Sequence, residues 1–382
     1  MLIAIFVSLI ILLFQQFILT KVQLAPVTIT VNGGGQVAIV NAINQANPGD
    51  IIEVHPGNYD NGSTSFLSIT KSGTITSPIT LRGVGLPRPK IGNFKLSSAS
   101  YWIIEGFEIA NQQSFNSVEI TGTSSKNNII RNMIVHDIRN GIALREGDGN
   151  TIANSTLYNA IDPSSGGEAH TIHINSAINN KILNNVLYGF IGAAIQFGLV
   201  EKDTNGNPVP INRGTALIEG NKLFNTQGNC AENAIDIKAE AGTVVIRNNT
   251  MYGFEPMTGI GCIYQGSGEP ESSAILAHTG AIGILIIEQN EFYDNYEAVD
   301  SRGMQATIRN NIFHDFNLGT RVGSSRVLGV FVSDSDQDIY HNTFVNIPSL
   351  FNNVTSGGSP DLVNNLFFNV NRTLIGSYRN NG

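Results

Sequence analysis

The stretch NAIDIKAEAG, residues 233–242, sets a carboxylate and an amine two positions apart, Asp236 and Lys238, between Ile235 and Ile237. Side chains of an extended strand alternate faces, so the two isoleucines go to one side and the acid and the base to the other. On an open surface such a pair is a solvated ion pair contributing under ~1 kcal/mol. In a groove the same two groups would be part of a catalytic surface, where a positioned amine can take a proton. Both readings are compatible with the spacing.

The elements that must position the pair are repeats. IANSTLYN, ILNNVLYG, IEGNKLFN, IRNNTMYG, IEQNEFYD, IRNNIFHD, IYHNTFVN and LVNNLFFN share an aliphatic start, an Asn-rich turn and an apolar or aromatic finish. One column reads Met133, Ser155, Asn185, Asn221, Asn249, Asn290, Asn311, Asn342, Asn365, in steps of 22, 30, 36, 28, 41, 21, 31 and 23 residues. A minimum near 21 residues with loops of variable size, short β-branched strands and no helical period predicts an all-β fold: a single-domain right-handed parallel β-helix. Each coil supplies one rung, aliphatic residues pile up inside, and Asn stacks at the turns, where its amide reaches the next rung and tolerates αL geometry. In GGQVAIVNAINQANPGD a capping helix is expected at about 36–47, with Val37, Val40, Ile43 and Ala46 on its buried face.

Stacked rungs place the equivalents of Asp236 and Lys238 roughly 5 Å apart. Alternation in VEIT, IALR, IHIN, IQF and VDSR predicts an outward row of Glu119, Arg145, His173, Asn175, Gln196, Asp236, Lys238, Asp300 and Arg302. Phe331 is the single aromatic expected there, and insertions at 161–170, 199–214 and 264–280 are expected to wall the row in. Such a row of cations, carboxylates and amides could line an extended sugar chain. Simple pairing of Arg145 with Glu119 or Glu146, and chance proximity of His170 and His173, are the plainer alternatives.

The stretches NAINQANPGDIIEVHPGNYD (41–60), SGTITSPITLRG (72–83) and SYWIIEGFEI (100–109), followed by the Asn-rich rungs, resemble the pectin-lyase-like superfamily. In style they are similar to its polysaccharide lyases of the chondroitinase B and alginate lyase type, and the resemblance runs over residues 27–382. It implies a lyase acting on an acidic, uronate-containing polysaccharide by β-elimination. Lys238 would then be the base, with Asp236 and Glu240 as ligands of a Ca2+ ion. The arginine expected one rung after Lys238 is missing, since that rung reads GIGCIYQGSG (259–268), and the nearest later candidate is Arg302, about two rungs on. Elimination needs a neutralised carboxylate, a base at C5 and an acid for the leaving oxygen. Arg145 suits the first task, and His173 suits sugar binding or the acid. Gln196, Asn175 and Arg302 would bind substrate. The alternatives are a non-catalytic surface or carbohydrate-binding β-helix and a glycoside hydrolase, the last needing two facing carboxylates at about 5 or 6.5–9.5 Å.

Composition narrows the partners. A net charge of −8 and 14% charged residues offer no basic stripe, so nucleic acid is not the expected ligand. Residues 1–25, opening MLIAIFVSLIILLF, read as a signal peptide or an N-terminal membrane anchor, and the expected location is secreted or cell-surface. Cys230 and Cys262 are then available to pair. The last rung lacks an evident cap, so a further segment or partner is expected to cover that end.

Overall fold

A computed structural model describes residues 25–62, 66–110, 115–161, 169–198, 201–202, 204–206, 208–225, 231–254, 273–316, 331–333, 337–348, 350, 361–370 and 379–380. Residues 1–24, both cysteines and, of the expected wall loops, residues 162–168, 199–200, 203, 207 and 264–272 lie outside them, as does most of the segment after residue 350.

The coil runs through three parallel sheets of 14, 10 and 10 strands. One rung shows the pattern: Lys181–Leu183 enters the first sheet, Val186–Phe190 the second and Gly192–Phe197 the third. Each strand pairs in parallel with its counterpart one rung before and after. The expected right-handed parallel β-helix is therefore the observed fold.

Inside, alternation makes ladders. Ile130, Ile152, Ile182, Ile218, Ile246, Ile287, Ile308 and Ile339 stand in register down the first sheet, all buried. Each fully buried isoleucine contributes roughly 1.5–3 kcal/mol, and a one-residue slip would turn the whole ladder outward.

The Asn column is a hydrogen-bond ladder. The Oδ1 of Asn221 accepts the backbone N–H of Asn185 at 2.8 Å, Asn249 does the same for Asn221 at 2.8 Å, and Asn290 for Asn249 at 2.9 Å. Each amide also donates to the next Oδ1 at 3.0 Å. The αL conformation belongs to the residue before: Asn184, Gly220, Asn248, Gln289 and Asn310 all have positive φ. The two roles expected of one asparagine are thus divided between neighbours.

The capping helix spans Gly35–Gln45 and buries Ile39, Ala42 and Ile43, with Ala46 just beyond. Val37 is exposed, so the expected buried face is corrected in phase: the stripe follows 39, 42, 43 and 46.

Candidate active site

The three sheets differ in what they show the outside. The first carries ion-paired ladders with part-exposed arginines, such as Arg247–Glu219 at 3.0 Å and Arg309–Glu288 at 2.6 Å. The second carries a stack of rings, His136, Tyr158, Tyr188, Phe224, Tyr252, Tyr293 and His314, with centroids 4.6–5.1 Å apart. These rings face one another along the helix, so they show their edges, not faces, to a sugar. Among the described residues the third sheet sets polar groups deep on its outer side: Gln196, Asp236 and Asp300 are 4%, 1% and 1% exposed.

Register builds that face. Glu119, Ala143, His173, Gln196, Asp236, Leu276, Asp300 and Val332 stand opposite one another on successive rungs. Backbone bonds to the preceding rung define a second row beside it: Arg145, Asn175, Gly198, Lys238, His278, Arg302. The expected row is therefore present, with two corrections. The rung after Lys238 is Ser273–Ala277, not 259–268, and its equivalent of Lys238 is His278. Phe331 pairs in register with Val299 of the inward ladder, and Val332 takes the position opposite Asp300.

Asp236 is the centre. Its Oδ1 lies 3.0 Å from His278 Nε2, its Oδ2 3.6 Å from Lys238 Nζ, and Gln196 Nε2 donates to Oδ2 at 3.3 Å. Burial alone would push this carboxyl up. The His278 hydrogen bond, the Lys238 charge and the Gln196 amide outweigh it and hold Asp236 below the usual carboxylate range. The group is an anion enclosed by protein, and its two basic partners reach further out, with side chains 30% exposed for His278 and 23% for Lys238.

The flanks follow the same rule. Arg302 lies beside Asp300, its Nε 2.9 Å from Oδ2. Glu119 meets Lys95 at 3.0 Å and Arg145 at 3.3 Å. Burial raises the Glu119 carboxyl, but hydrogen bonds from Asn116 and Lys95 and the Arg145 charge bring it below its ordinary value.

His173 sits between Ala143 and Gln196, near His170, ring centroids 5.5 Å apart. Burial, then the charges of His170, Arg145, Lys238 and Arg213, push it down to about 3. An imidazole this hard to protonate holds no imidazolium proton near neutrality, so the expected role of His173 as acid is corrected; sugar binding remains open to it.

Glu240 goes elsewhere. The strand ends at Ile237, and past that point alternation no longer aims the side chain. Its Oε1 accepts N–H groups of Arg213, Ala241 and Gly242 at 3.1, 3.0 and 2.7 Å, and its Oε2 lies 3.2 Å from Arg213 Nη1. Arg213, 1% exposed, also donates to the carbonyls of Asn175, Gly198 and Ala239, tying three rungs together.

A calcium ion needs six to eight oxygens, carboxylates foremost. Here Asp236, Asp300 and Glu119 each face a basic side chain, and Glu240 is taken up by Arg213. Among the described residues no three of His, Cys, Asp and Glu gather as metal ligands. The donor set present does not fit the expected Ca2+ site of Asp236 with Glu240.

Residues 31–189 match the model of the Pel9A-like, right-handed beta helix region. The match agrees with the right-handed parallel β-helix that the sheets describe, and it spans less than half of the chain. Among solved structures it is similar to an alginate lyase from Paenibacillus sp. str. FPU-7, at 16% identity and TM-score 0.51, over 91% of this chain and 99% of that one. Pectate lyase Pel9A gives 15% and 0.52 over 92% and 79%. A GH136 lacto-N-biosidase from Eubacterium ramulus gives 14% and 0.54 over 90% and 67%. At these identities the likeness shows the fold. A search of curated proteins by sequence finds no match.

Sequence reasoning missed His278, Arg213 and Lys95. The signal for His278 was available: SAILAH (273–278) aligns position for position with NAIDIK (233–238) and EAVDSR (297–302).

Proposed function

We propose that this β-helix protein is exported and cleaves an acidic, uronate-containing polysaccharide by β-elimination. The observation that carries the reading is Asp236, a buried anion held between Lys238 and His278 at the middle of a row of polar groups crossing several rungs. A polymer laid along the helix axis meets Arg302, His278 and Lys238 on consecutive rungs. Arg302, and at the far end Arg145, neutralise uronate carboxylates and so acidify the C5 proton.

In the proposed step the neutral Lys238 amine takes the C5 proton. The C5–H electron pair becomes the C4=C5 double bond, the C4–O4 bond breaks, and the departing oxygen takes a proton from the His278 imidazolium. Asp236 is a positioning residue, orienting both groups without touching substrate.

The hydrolase reading is less well supported, because hydrolysis needs a carboxylic acid that keeps its proton. Asp236 and Glu119 are both pushed toward the ionised form. The test is absorbance of the unsaturated uronate on incubation with pectate, alginate and chondroitin, with and without added calcium. Product formed by the wild type and lost in Lys238→Ala supports the proposal. New reducing ends without that absorbance indicate a hydrolase, and neither signal on any polymer leaves a binding protein. Calcium dependence would require ligands from residues other than this row.

A further inference from the structure

The Asn ladder satisfies its buried amides, yet two polar atoms on the candidate face have no partner. His173 Nε2 and Asn175 Oδ1 are both screened from water and neither makes a hydrogen bond; Asn175 as a whole is 7% exposed. An orphaned buried polar atom costs about 1–3 kcal/mol. Two of them, one on a strand and one just past its end, mark a place where something else completes the bonding.

Gly198 explains how they come together. It is the one position of the second row without a side chain, between Asn175 and Lys238. A Cβ there would lie 2.6 Å from His173 Nε2 and 2.7 Å from Gln196 Oε1. The missing side chain lets His173 lean across, so its Nε2 takes the place of a side-chain tip beside Lys238.

We infer that His173 and Asn175 form a subsite for a sugar hydroxyl, adjoining the group that the proposed reaction uses. This rests on the reading of the face as a polysaccharide site. A hydroxyl both donates and accepts, which matches an amide oxygen beside a neutral imidazole N–H. A carboxylate does not match, since Asn175 Oδ1 would meet it lone pair to lone pair. The part-exposed Arg145 and Lys238 on either side are the side chains that must shift to admit the sugar. The face therefore divides: the cations Arg302 and Arg145 take acidic groups, and the His173–Asn175 stretch takes a neutral one. A site that hydrogen-bonds a hydroxyl discriminates strongly against a sugar whose hydroxyl is blocked.

The experiment measures binding of de-esterified and O-acetylated pectate and alginate oligosaccharides by calorimetry, with unsaturated-product absorbance followed in parallel. It uses the full chain as wild type, His173→Ala, Asn175→Ala and Gly198→Ala, with urea midpoints to certify folding. The expected result is wild-type binding of the free-hydroxyl form at least tenfold tighter than of the acetylated form. In His173→Ala and Asn175→Ala the tenfold preference collapses through weaker binding of the free-hydroxyl form. Equal binding of both forms by the wild type, a preference that survives both alanine variants, or no binding at all overturns the inference; the second outcome means that a buried water completes the two atoms. Preference without unsaturated product retains the subsite and rejects the lyase, and product without preference does the reverse.

Discussion

Two histidines, His170 buried and His173 partly buried, predict how this protein fails in acid. His170 is driven down to about 4, chiefly by burial and then by the Lys238 charge, and His173 to about 3. In the unfolded chain both return to about 6.5. Below that value the unfolded state binds protons that the folded state refuses, so stability is fully present above pH ~6.5 and drains away toward pH ~4. A group shifted this far loses about 1.4 kcal/mol per pH unit in the window, which comes to about 2 kcal/mol per histidine between pH 7.5 and 5. Asp236, Glu119 and Glu105 are all lowered, so the stability they confer is lost only as pH falls below their ordinary range, under about 4.5. The interval from 6.5 to 5 belongs to the histidines.

The informative variant is His170→Asn. His170 Nδ1 accepts the Ala193 N–H at 3.1 Å, and an asparagine Oδ1 can take over that acceptor role without taking a proton in acid. Urea unfolding at pH 7.5 and 5 should show the variant losing about 2 kcal/mol less than the wild type over that interval. Histidine ring resonances followed by NMR should show His170 unprotonated down to pH 5. If the variant keeps the full wild-type acid sensitivity, or if the His170 ring titrates near 6.5, the reasoning is refuted.

Three further outcomes are expected. Asn249→Ala removes the acceptor for two N–H groups of Asn221 and the donor to Ile218, and should lower stability by about 3 kcal/mol in urea unfolding. Asp236→Asn should keep the urea midpoint near wild type while kcat on a cleaved uronate polymer falls about a hundredfold, because His278 and Lys238 lose the anion that orients them; unchanged kcat would remove Asp236 from the mechanism. Arg213→Met strands Glu240 as an uncompensated buried charge and should cost about 3–5 kcal/mol, with Glu240→Gln added to it recovering most of the loss by thermal melting.

How far the sequence could be read depended on where the strands end. Ile235 and Ile237 stand inside and Asp236 outside, because inside a strand the period of two leaves no choice; Arg145, Asn175, Lys238 and Arg302, each one residue past a strand end and still bonded to the rung before, keep that phase. Further on the rule lapses. Glu240 continues the 236, 238 spacing on paper, but the chain turns after Ile237 and delivers the carboxylate to Arg213. His278 was hidden differently: 40 residues separate it from Lys238, and the apolar Leu276 stands where Asp236 and Asp300 stand on the neighbouring rungs. The helix phase slipped because four apolar residues at spacing three fit a 3.6-residue period almost as well as the true stripe does.

Composition cannot separate a polar column that builds the fold from one that does chemistry, since asparagine, histidine and glutamine recur at rung spacing in both. Satisfaction separates them. Along the ladder from Asn185 to Asn342 each amide oxygen accepts and each amide nitrogen donates, so no bonding capacity is left for a ligand. On the third sheet the groups are as deeply set, yet His173 Nε2 and Asn175 Oδ1 are unmatched and Asp236 is an anion taken out of water. Holding such groups costs stability, and rungs stitched by Arg213 across Asn175, Gly198 and Ala239 supply the rigidity that keeps them from relaxing. Asn180 and Gln337 at the first sheet also carry unmatched amides, but the third-sheet face joins such atoms to a row of charged groups, and that combination is the reason to look for the substrate there.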